Sequence, residues 1–521
     1  MVDLYIIISK YLFILYIAVF VFCGFMINLK RQEMAKFSIA AGLSNQRLCI
    51  ILFHITASVI LISASIEYEM QPVILYCAVG FLLIMGGNIL TAKLYPEGSH
   101  LLYNCVFFLM DIGLMMLYRL NTDLANKQLI WNTIGIVMML VMPKILVVMP
   151  RLDKFRKLYI IAAFVLLIAT VVFGSEEGGS KNWISIGSVG FQPSELIKVL
   201  FVLYLASAFG NKPKFKELIL PTVLSGAVVL ILVVGQKDLG SALIFYMTFL
   251  VVLFIATSNY FYFLGGLAFI SVASSVAYKL FSHIRVRVEA WQNPWLDVHN
   301  KGYQIAQSLF AICTWGITGI GFTRGYATTI PVVERDFIFA AICEEFGVIF
   351  AVGLILIFMF ILLEGARGAI ENNNRFLSLI CAGFTALIAF QSFLIIGGVI
   401  KFIPLTGVTL PFVSYGGTSI VISYIVIAIM QWIIMRNFEY ITDKSTEDIH
   451  ERVRHPQTRR EAKASTGNTK RINKNNTRKK TIGSTENSGI ERPARNKTTE
   501  RKTPPNVGGR PESYNRKRRD N

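Results

Sequence analysis

Long apolar runs recur along the chain between short polar breaks, and each is close to the roughly 20 residues a helix needs to cross a hydrocarbon core. Thirteen spanning helices are predicted, at 5–27, 48–66, 72–92, 101–119, 129–149, 157–174, 195–210, 217–235, 239–258, 260–280, 337–364, 376–400 and 417–435. The first run is long and lacks a small-residue cleavage site ahead of a soluble domain, so it reads as a retained span rather than a signal peptide. The predicted fold is an all-α polytopic membrane protein, in which every backbone polar group is satisfied within its own helix.

The polar breaks orient these spans, because short cytoplasmic loops carry the excess of Lys and Arg. Lys30, Arg31, Lys36 and Arg47 follow the first run, Arg151, Lys154, Arg156 and Lys157 the fifth, and Lys212, Lys214 and Lys216 the seventh. Their common parity predicts an N-terminus outside and a C-terminal tail in the cytoplasm. Four polar segments then face outward: 174–194, 235–238, 281–336 and 401–416. The third is far longer than packing requires. Its richness in Trp, Tyr, Ile and Phe predicts an ordered, functional loop.

Composition agrees with a bilayer protein: the 521 residues are 54% hydrophobic and only 16% charged, with a mean hydropathy of +0.55. Seven cysteines scattered through apolar runs read as buried thiols and not as a disulfide scaffold. The net charge of +19 is concentrated at one end, since residues 441–521 hold 22 Lys and Arg against 10 Asp and Glu, or +12. Such a segment buries too little surface to fold, and it is predicted to be a disordered basic tail that meets anionic membrane lipids. No aromatic platform accompanies the charge, so nucleic acid is not expected as a partner. Three regions follow: 1–96, 97–440 and the tail 441–521.

Several polar residues sit where only function or an ion pair accounts for them. Gln192-Pro193-Ser194-Glu195 opens a span that also carries Lys198, which sets opposite charges three residues apart on one helix face. Burying either alone is costly, so the pair should face the bundle interior or a wet cavity. Asp238 starts the next outward-facing helix, where it suits a cap. In the long loop, Arg285 and Arg287 suit phosphate groups through forked hydrogen bonds, or else anchor the span. Tyr303-Gln304 and the glycine-rich stretch 316–325 follow. The loop ends at Glu334-Arg335-Asp336, with Glu344-Glu345 two turns into the next helix, where they must be paired or wet. The segment from Pro404 through Ser414-Tyr415-Gly416-Gly417 mixes Pro, Gly and hydroxyl groups between two spans, as a re-entrant segment lining a cavity would.

Taken in order, Gln192-Pro193-Ser194-Glu195 with Lys198, Asp238-Leu239-Gly240, Tyr303-Gln304, Asp336-Phe337-Ile338-Phe339 with Glu344-Glu345-Phe346-Gly347, and Pro404-Leu405-Thr406-Gly407 through Ser414-Tyr415-Gly416-Gly417 resemble the SEDS family, named for shape, elongation, division and sporulation. Its members include FtsW, RodA and SpoVE. The resemblance covers roughly 101–437, ten of the thirteen spans, and leaves three extra spans in residues 1–96. It implies a peptidoglycan glycosyltransferase that polymerises lipid II at the outer face of the membrane, serving cell division, elongation or sporulation. A class B penicillin-binding protein would supply transpeptidation beside it. The essential carboxylate of the family falls on Asp336, and the other critical charges on Glu195 and Lys198. Gln192, Ser194, Asp238, Arg285, Arg287, Tyr303, Gln304, Glu344, Glu345, Ser414, Tyr415, Gly416 and Gly417 would bind lipid II and the undecaprenyl-linked strand. Departures from the pattern are Val332-Val333-Glu334-Arg335 where Glu-Ala-His-Thr is common, Lys237 where Pro is usual, and Ile395 where Asn is frequent.

The expected chemistry makes Asp336 the general base toward the acceptor hydroxyl, with Lys198, Arg285 and Arg287 stabilising a departing lipid pyrophosphate. The activated donor carries the bond energy, in keeping with the lack of a G-x-x-x-x-G-K-[ST] phosphate loop. No nucleotide is required; the one cofactor candidate is a divalent cation, Mg or Mn, with no metal ligand assigned. Two alternatives stand beside this reading. One is a lipid II flippase, for which Asp111, deep in the fourth span, is the motivating residue. The other is a noncatalytic scaffold for the transpeptidase.

Overall fold

The computed structural model describes residues 2–29, 36–65, 70–149, 152–177, 179–186, 189–210 and 213–454, the side chains only as far as Asn437. Lys30, Arg31, Arg151, Lys212 and the tail beyond 454 lie outside the described residues. The chain divides into two compact units, Met1–Ser445 and Thr446–Asn521, and the first carries everything that follows.

Sixteen α-helices are described: α1 (Val2–Leu29), α2 (Lys36–Ala64), α3 (Met70–Leu94), α4 (His100–Leu120), α5 (Thr122–Val148), α6 (Arg156–Phe173), α7 (Pro193–Phe209), α8 (Phe215–Leu230), α9 (Leu239–Thr257), α10 (Tyr260–Leu280), α11 (Ser282–Gln292), α12 (Tyr303–Thr314), α13 (Ile338–Phe346), α14 (Val348–Ile370), α15 (Arg375–Val399) and α16 (Thr418–Arg454). Twelve among the described residues are long and apolar enough to cross a membrane, so the chain is a multi-pass membrane protein. The thirteenth predicted span is α7, whose 17 residues make a helix of about 26 Å. Side-chain acceptors that the sequence supplies at turn positions start several helices: Ser99, Asn121, Asp238, Asn259 and Asn374 each accept an amide of the first turn.

The centre of the bundle is α4, buried without interruption from Leu101 to Leu117. It is apolar all round except for Asn104 and Asp111, which are buried against Gln46 and His54 of α2, as a helix surrounded by other helices requires. At the other extreme α10 buries none of its residues and stands at the periphery. The N-terminal helices are packed into the same unit. Phe13 and Phe53 interleave with Phe108, Phe346 and Phe350 at ring separations of 4.9 to 5.9 Å, and Gly353 of α14 lies directly under Ile17. Small residues that admit a neighbouring side chain are the usual means of close helix approach in lipid.

Three departures from the predicted elements have physical causes. The span expected at 337–364 is two helices, because Gly347 adopts φ +88° against Ile317 and Thr318, where a Cβ would come within 2.4 Å of backbone. Glu344 and Glu345 therefore sit on the short α13 rather than in a lipid-crossing helix. Second, α2 begins at Lys36, not at 48, so Lys36 and Arg47 are helical and Arg47 belongs to a span. Third, the segment 174–194, expected as an outward loop, carries a small antiparallel sheet, β1 (Ser175–Glu177), β2 (Ser180–Ile186) and β3 (Val189–Phe191), in the order β1-β2-β3. Gly179 at φ +80° makes the first reversal. The long loop is ordered, as expected: α11, a 3-10 turn at Pro294–Asp297, α12 and a second 3-10 turn at Ala327–Thr329 fill it.

Candidate active site

At the end of the bundle where the sheet, the start of α7, the start of α9, the long loop and the segment 404–417 meet, they enclose a cavity of about 380 Å³. That volume lies in the range of small-molecule sites, roughly 300–1,000 Å³. The walls come from four stretches of chain: Asn182, Trp183, Gln192 and Glu195 from β2 and the start of α7, Asp238 and Ser241 from the start of α9, Arg287, Gln304, Arg335 and Asp336 from the long loop, and Thr406 to Thr409 from the last segment.

The acids of this cavity differ in what already binds them. Glu195 Oε1 accepts from Lys198 Nζ at 2.8 Å, and both side chains are buried. Lys198 also donates to Gln391 Oε1 at 3.1 Å, and Gln391 Nε2 donates to the Thr409 carbonyl at 2.9 Å. The ion pair thus reaches through α15 into the irregular segment that forms one wall. Asp238 is engaged twice over: its Oδ1 caps α9 at the Ser241 amide, 2.9 Å, and its Oδ2 accepts from Ser241 Oγ at 2.8 Å and Asn182 Nδ2 at 3.1 Å. Asp336 is different. Among the described residues no donor hydrogen-bonds its carboxylate.

Its position comes from a strained turn. Val332 lies at φ +60°, an outlier for a β-branched residue, and its carbonyl receives the amides of both Arg335 and Asp336. Opposite, Gly407 at φ +73° brings backbone so near that a Cβ there would lie 3.7 Å from Asp336 Oδ2. Removal from water pushes the Asp336 carboxyl up from its ordinary 3.8 to about 6, although Arg287 and Arg335 nearby favour its charged form. Those two cations are also held. Arg287 Nη1 donates to the Thr406 carbonyl at 3.0 Å, and the Arg335 guanidinium lies 5.7 Å over the Tyr415 ring. Two further polar atoms of the cavity, Asn182 Oδ1 and Thr406 Oγ1, are buried with no hydrogen-bond partner. Such atoms are what a hydroxyl-rich ligand would satisfy.

The other residues expected at the site fall in several places. Gln192 and Gln304 line the cavity. Ser194 is buried beside it on α7, its Oγ without a partner. Arg285 is exposed and donates to the Lys279 carbonyl, outside the cavity lining. Tyr303 likewise lies outside it, its hydroxyl donating to the Thr329 carbonyl. Ser414 Oγ accepts the Leu410 amide, the Tyr415 amide donates to the Glu334 carbonyl, and Gly416 follows where Gln128 Nε2 binds the Ser414 carbonyl. With Gly417, at φ +40°, they shape the re-entrant segment that carries Thr406 and Gly407.

Glu344 and Glu345 form a separate cluster with Arg119. Glu345 Oε2 accepts the Thr323 amide at 3.0 Å and its Oε1 lies 3.4 Å from Arg119 Nε, while Glu344 Oε1 accepts the Tyr326 amide at 2.9 Å. Burial raises the Glu345 carboxyl to about 7 against the pull of Arg119. This cluster fastens the glycine-rich stretch to α13, just behind the turn that presents Asp336. Asp111 is fully buried and pairs with His54 Nδ1 of α2 at 2.7 Å, apart from the cavity.

Two positioning residues are not legible in the sequence as part of the site. Gln391 stands as a lone amide in an apolar run, a signal that polar groups inside lipid face the interior. Arg119, at the end of a predicted span, reads as an interfacial anchor, and only the fold brings Glu345 to it. No group of three or more His, Cys, Asp or Glu side chains that could hold a metal ion occurs among the described residues. With Glu195 and Asp238 engaged, the cavity offers Asp336 alone, so its residues do not make a metal-binding set.

Fold and cavity together define a multi-pass membrane protein whose cavity holds a carboxylate, Asp336, that no donor among the described residues engages. The chain belongs to the cell cycle protein family of FtsW, RodA and SpoVE, whose model matches residues 99–438. The match begins after α3, and the ordered motifs from Gln192 to Gly417 lie inside it. Among its relatives, the peptidoglycan glycosyltransferase RodA of Mycobacterium tuberculosis (strain ATCC 25618 / H37Rv) is 31% identical over 380 residues, 67% of this chain and 81% of that protein. Stage V sporulation protein E of Bacillus subtilis (strain 168) is 30% identical over 364 residues, 65% of this chain and 97% of that one. A solved structure described as the structural coordination of polymerization and crosslinking by a peptidoglycan synthase complex aligns with a TM-score of 0.55 at 27% identity, covering 64% of this chain and 97% of that chain.

Proposed function

We propose that this protein is a peptidoglycan glycosyltransferase that polymerises lipid II into glycan strands, with the Asp336 cavity facing the outside of the cytoplasmic membrane. The observation that carries the reading is Asp336 itself: a carboxylate on a cavity, raised to about 6, with no hydrogen-bond donor among the described residues engaging it. A general base works best with a pKa not far below the operating pH and a free lone pair aimed at its proton. The membership of the family and the names of its relatives support the same activity.

In this reaction Asp336 takes the proton of the acceptor sugar hydroxyl as that oxygen bonds to the anomeric carbon of the donor. The bond from that carbon to the lipid pyrophosphate breaks, and the pyrophosphate leaves with the electron pair. Arg287, Arg335 and Lys301, which line the same cavity, are the cations near enough to offset its charge. Lys198 is bound to Glu195 and Gln391, which suits it to hold the wall in place rather than to meet phosphate. A divalent cation carried by the pyrophosphate is compatible with this arrangement, but no step depends on it.

A class B penicillin-binding protein is the proposed partner, supported by the assembly named for the solved relative. The parity of basic segments supports an outward N-terminus and a cytoplasmic tail. Polymerisation of lipid II by the purified chain, with and without a cognate transpeptidase, tests the whole reading. Glycan strands made by the parent and lost in Asp336→Asn are expected. Translocation of labelled lipid II across vesicles without polymer would replace this function with transport, and recruitment of the transpeptidase with no polymer under any condition would reduce it to scaffolding.

A further inference from the structure

A second groove among the described residues lies apart from the catalytic cavity. It measures about 620 Å³ and runs between α2 and α3, in the N-terminal helices that the family match leaves out. Its α2 wall is built at helical spacing from Ser44, Arg47, Leu48 and Ile51, and the facing α3 wall carries Asn88 and Lys93. The remaining walls are Ile, Met and Ala side chains, with buried Ile50 and Ile84 at the floor.

The charges of this groove are one-sided. Both ionisable residues of its lining, Arg47 and Lys93, are cations, and it contains no acid. Arg47 is also misplaced for a simple anchor. It is the tenth residue of the span Ser38–Ala64, half-buried, and its Nε is buried with no hydrogen-bond partner among the described residues. A guanidinium at that depth is stable only against an anion or in water. Of the lining residues, Leu48 and Ile89 are exposed at the mouth of the groove, so it opens toward the hydrocarbon. An anion that reaches it from that side brings its own apolar tail.

We propose that this groove binds an anionic glycerophospholipid, its phosphate on Arg47 and Lys93, its glycerol region against Ser44, Asn45 and Asn88, and its acyl chains along the apolar faces of α2 and α3. Basic pockets between spanning helices are suited to such headgroups. The site is independent of the catalytic reading, since none of its residues lines the Asp336 cavity.

The full-length protein in neutral detergent is the material for the test, with bound lipid counted by native mass spectrometry after titration with phosphatidylglycerol or with phosphatidylcholine of the same acyl chains. Phosphatidylglycerol should be retained in preference to phosphatidylcholine. Replacing both cations, Arg47→Gln with Lys93→Gln, should weaken phosphatidylglycerol by roughly 30-fold, the effect of two basic groups near a lipid headgroup. Ala92→Trp, which fills the groove and leaves both charges, should abolish the same retention, and it serves if the charge variant does not fold. Lys144→Gln with Arg436→Gln, in the separate groove beside α5 and α16, should change it less than twofold. Equal retention of phosphatidylcholine, retention unchanged by either groove variant, or loss in the control variant would overturn the proposal. So would displacement of phosphatidylglycerol by millimolar inorganic phosphate, which would make the groove a site for a soluble anion.

Discussion

Asp336 combines two properties that a carboxylate rarely has together: it is half-buried in the cavity wall, and no donor among the described residues hydrogen-bonds it. Glu195 and Asp238, on the same cavity, are each bound to partners at 2.8 to 3.1 Å, so their oxygens are engaged in holding the shape of the site. Asp336→Asn should therefore lower polymerisation roughly 10²- to 10⁴-fold, the usual contribution of a positioned base. Its effect on stability has the opposite sign. The folded state raises this carboxyl from 3.8 to about 6, so it favours the protonated form. Ionising it costs stability, a cost absent below its ordinary value and complete once the pH passes about 6. At pH 7.5 the asparagine variant should melt at the same temperature as the parent or higher, and a lower Tm would show that Asp336 is structural. The same carboxyl sets the acid limb of the pH profile. As the base must be ionised, kcat/KM should be flat above about pH 7 and fall tenfold per unit below about 6. A profile flat down to pH 5 would assign the base to another group. Gly407→Ala tests the opposite wall, since it strains a φ of +73° and puts a methyl 3.7 Å from Asp336 Oδ2. The methyl meets Asp336 at ordinary contact distance, so the strained backbone carries the effect, and kcat/KM should fall about tenfold as the 404–417 wall shifts.

Among the elements, α7 and α15 do the positioning through one buried chain of contacts: Glu195 to Lys198, Lys198 to Gln391, Gln391 to the Thr409 carbonyl. Lys198→Met alone leaves Glu195 buried without its cation, which should cost about 3 kcal/mol and lower Tm. Adding Glu195→Gln removes the charge that needed it, and most of the stability should return. Activity should not, because Gln391 and the 404–417 segment have lost their anchor. A double variant that melts like the parent and polymerises like it would show that the pair only packs α7. The pair is legible in the sequence, because two opposite charges three residues apart in an apolar helix can enter a bilayer only by neutralising each other. Gln391 is hidden there, since one amide in a 25-residue helix fixes no partner. The break at Gly347 is hidden for a similar reason: periodicity runs unchanged from α13 into α14, and only the approach of Ile317 and Thr318 to that glycine divides them. The charge of Arg47 suggests a loop because charge usually ends a span, whereas α2 continues through it.

On the scale of the molecule, the order and number of spans follow from apolar run length alone, but the association of α1 to α3 with the rest does not. Lipid is as apolar as phenylalanine, so a hydrophobic pattern cannot say which helix faces touch. The structure resolves this with two features of different kind: the interleaved Phe13, Phe53, Phe108, Phe346 and Phe350, and the buried pair of His54 with Asp111. Their contributions are separable. Exposing phenylalanine to lipid tails costs little, so the rings matter through shape, whereas Asp111 without His54 is a buried acid without its partner. His54→Leu should therefore lower Tm by the equivalent of about 3 kcal/mol, and His54→Leu with Asp111→Leu should recover most of it. Removing residues 1–96 from the Asp111→Leu chain takes away the rings together with the bonds of Gln46 to Asn104 and of Tyr76 to the Leu114 carbonyl. This truncated chain should keep its fold in detergent yet lose polymerisation, because Phe346 closes the helix that follows Asp336 and its packing against Phe13 holds that helix in place. If it polymerised lipid II as fast as the full chain, α1 to α3 would have no part in presenting the carboxylate, and their role would be confined to the membrane around them.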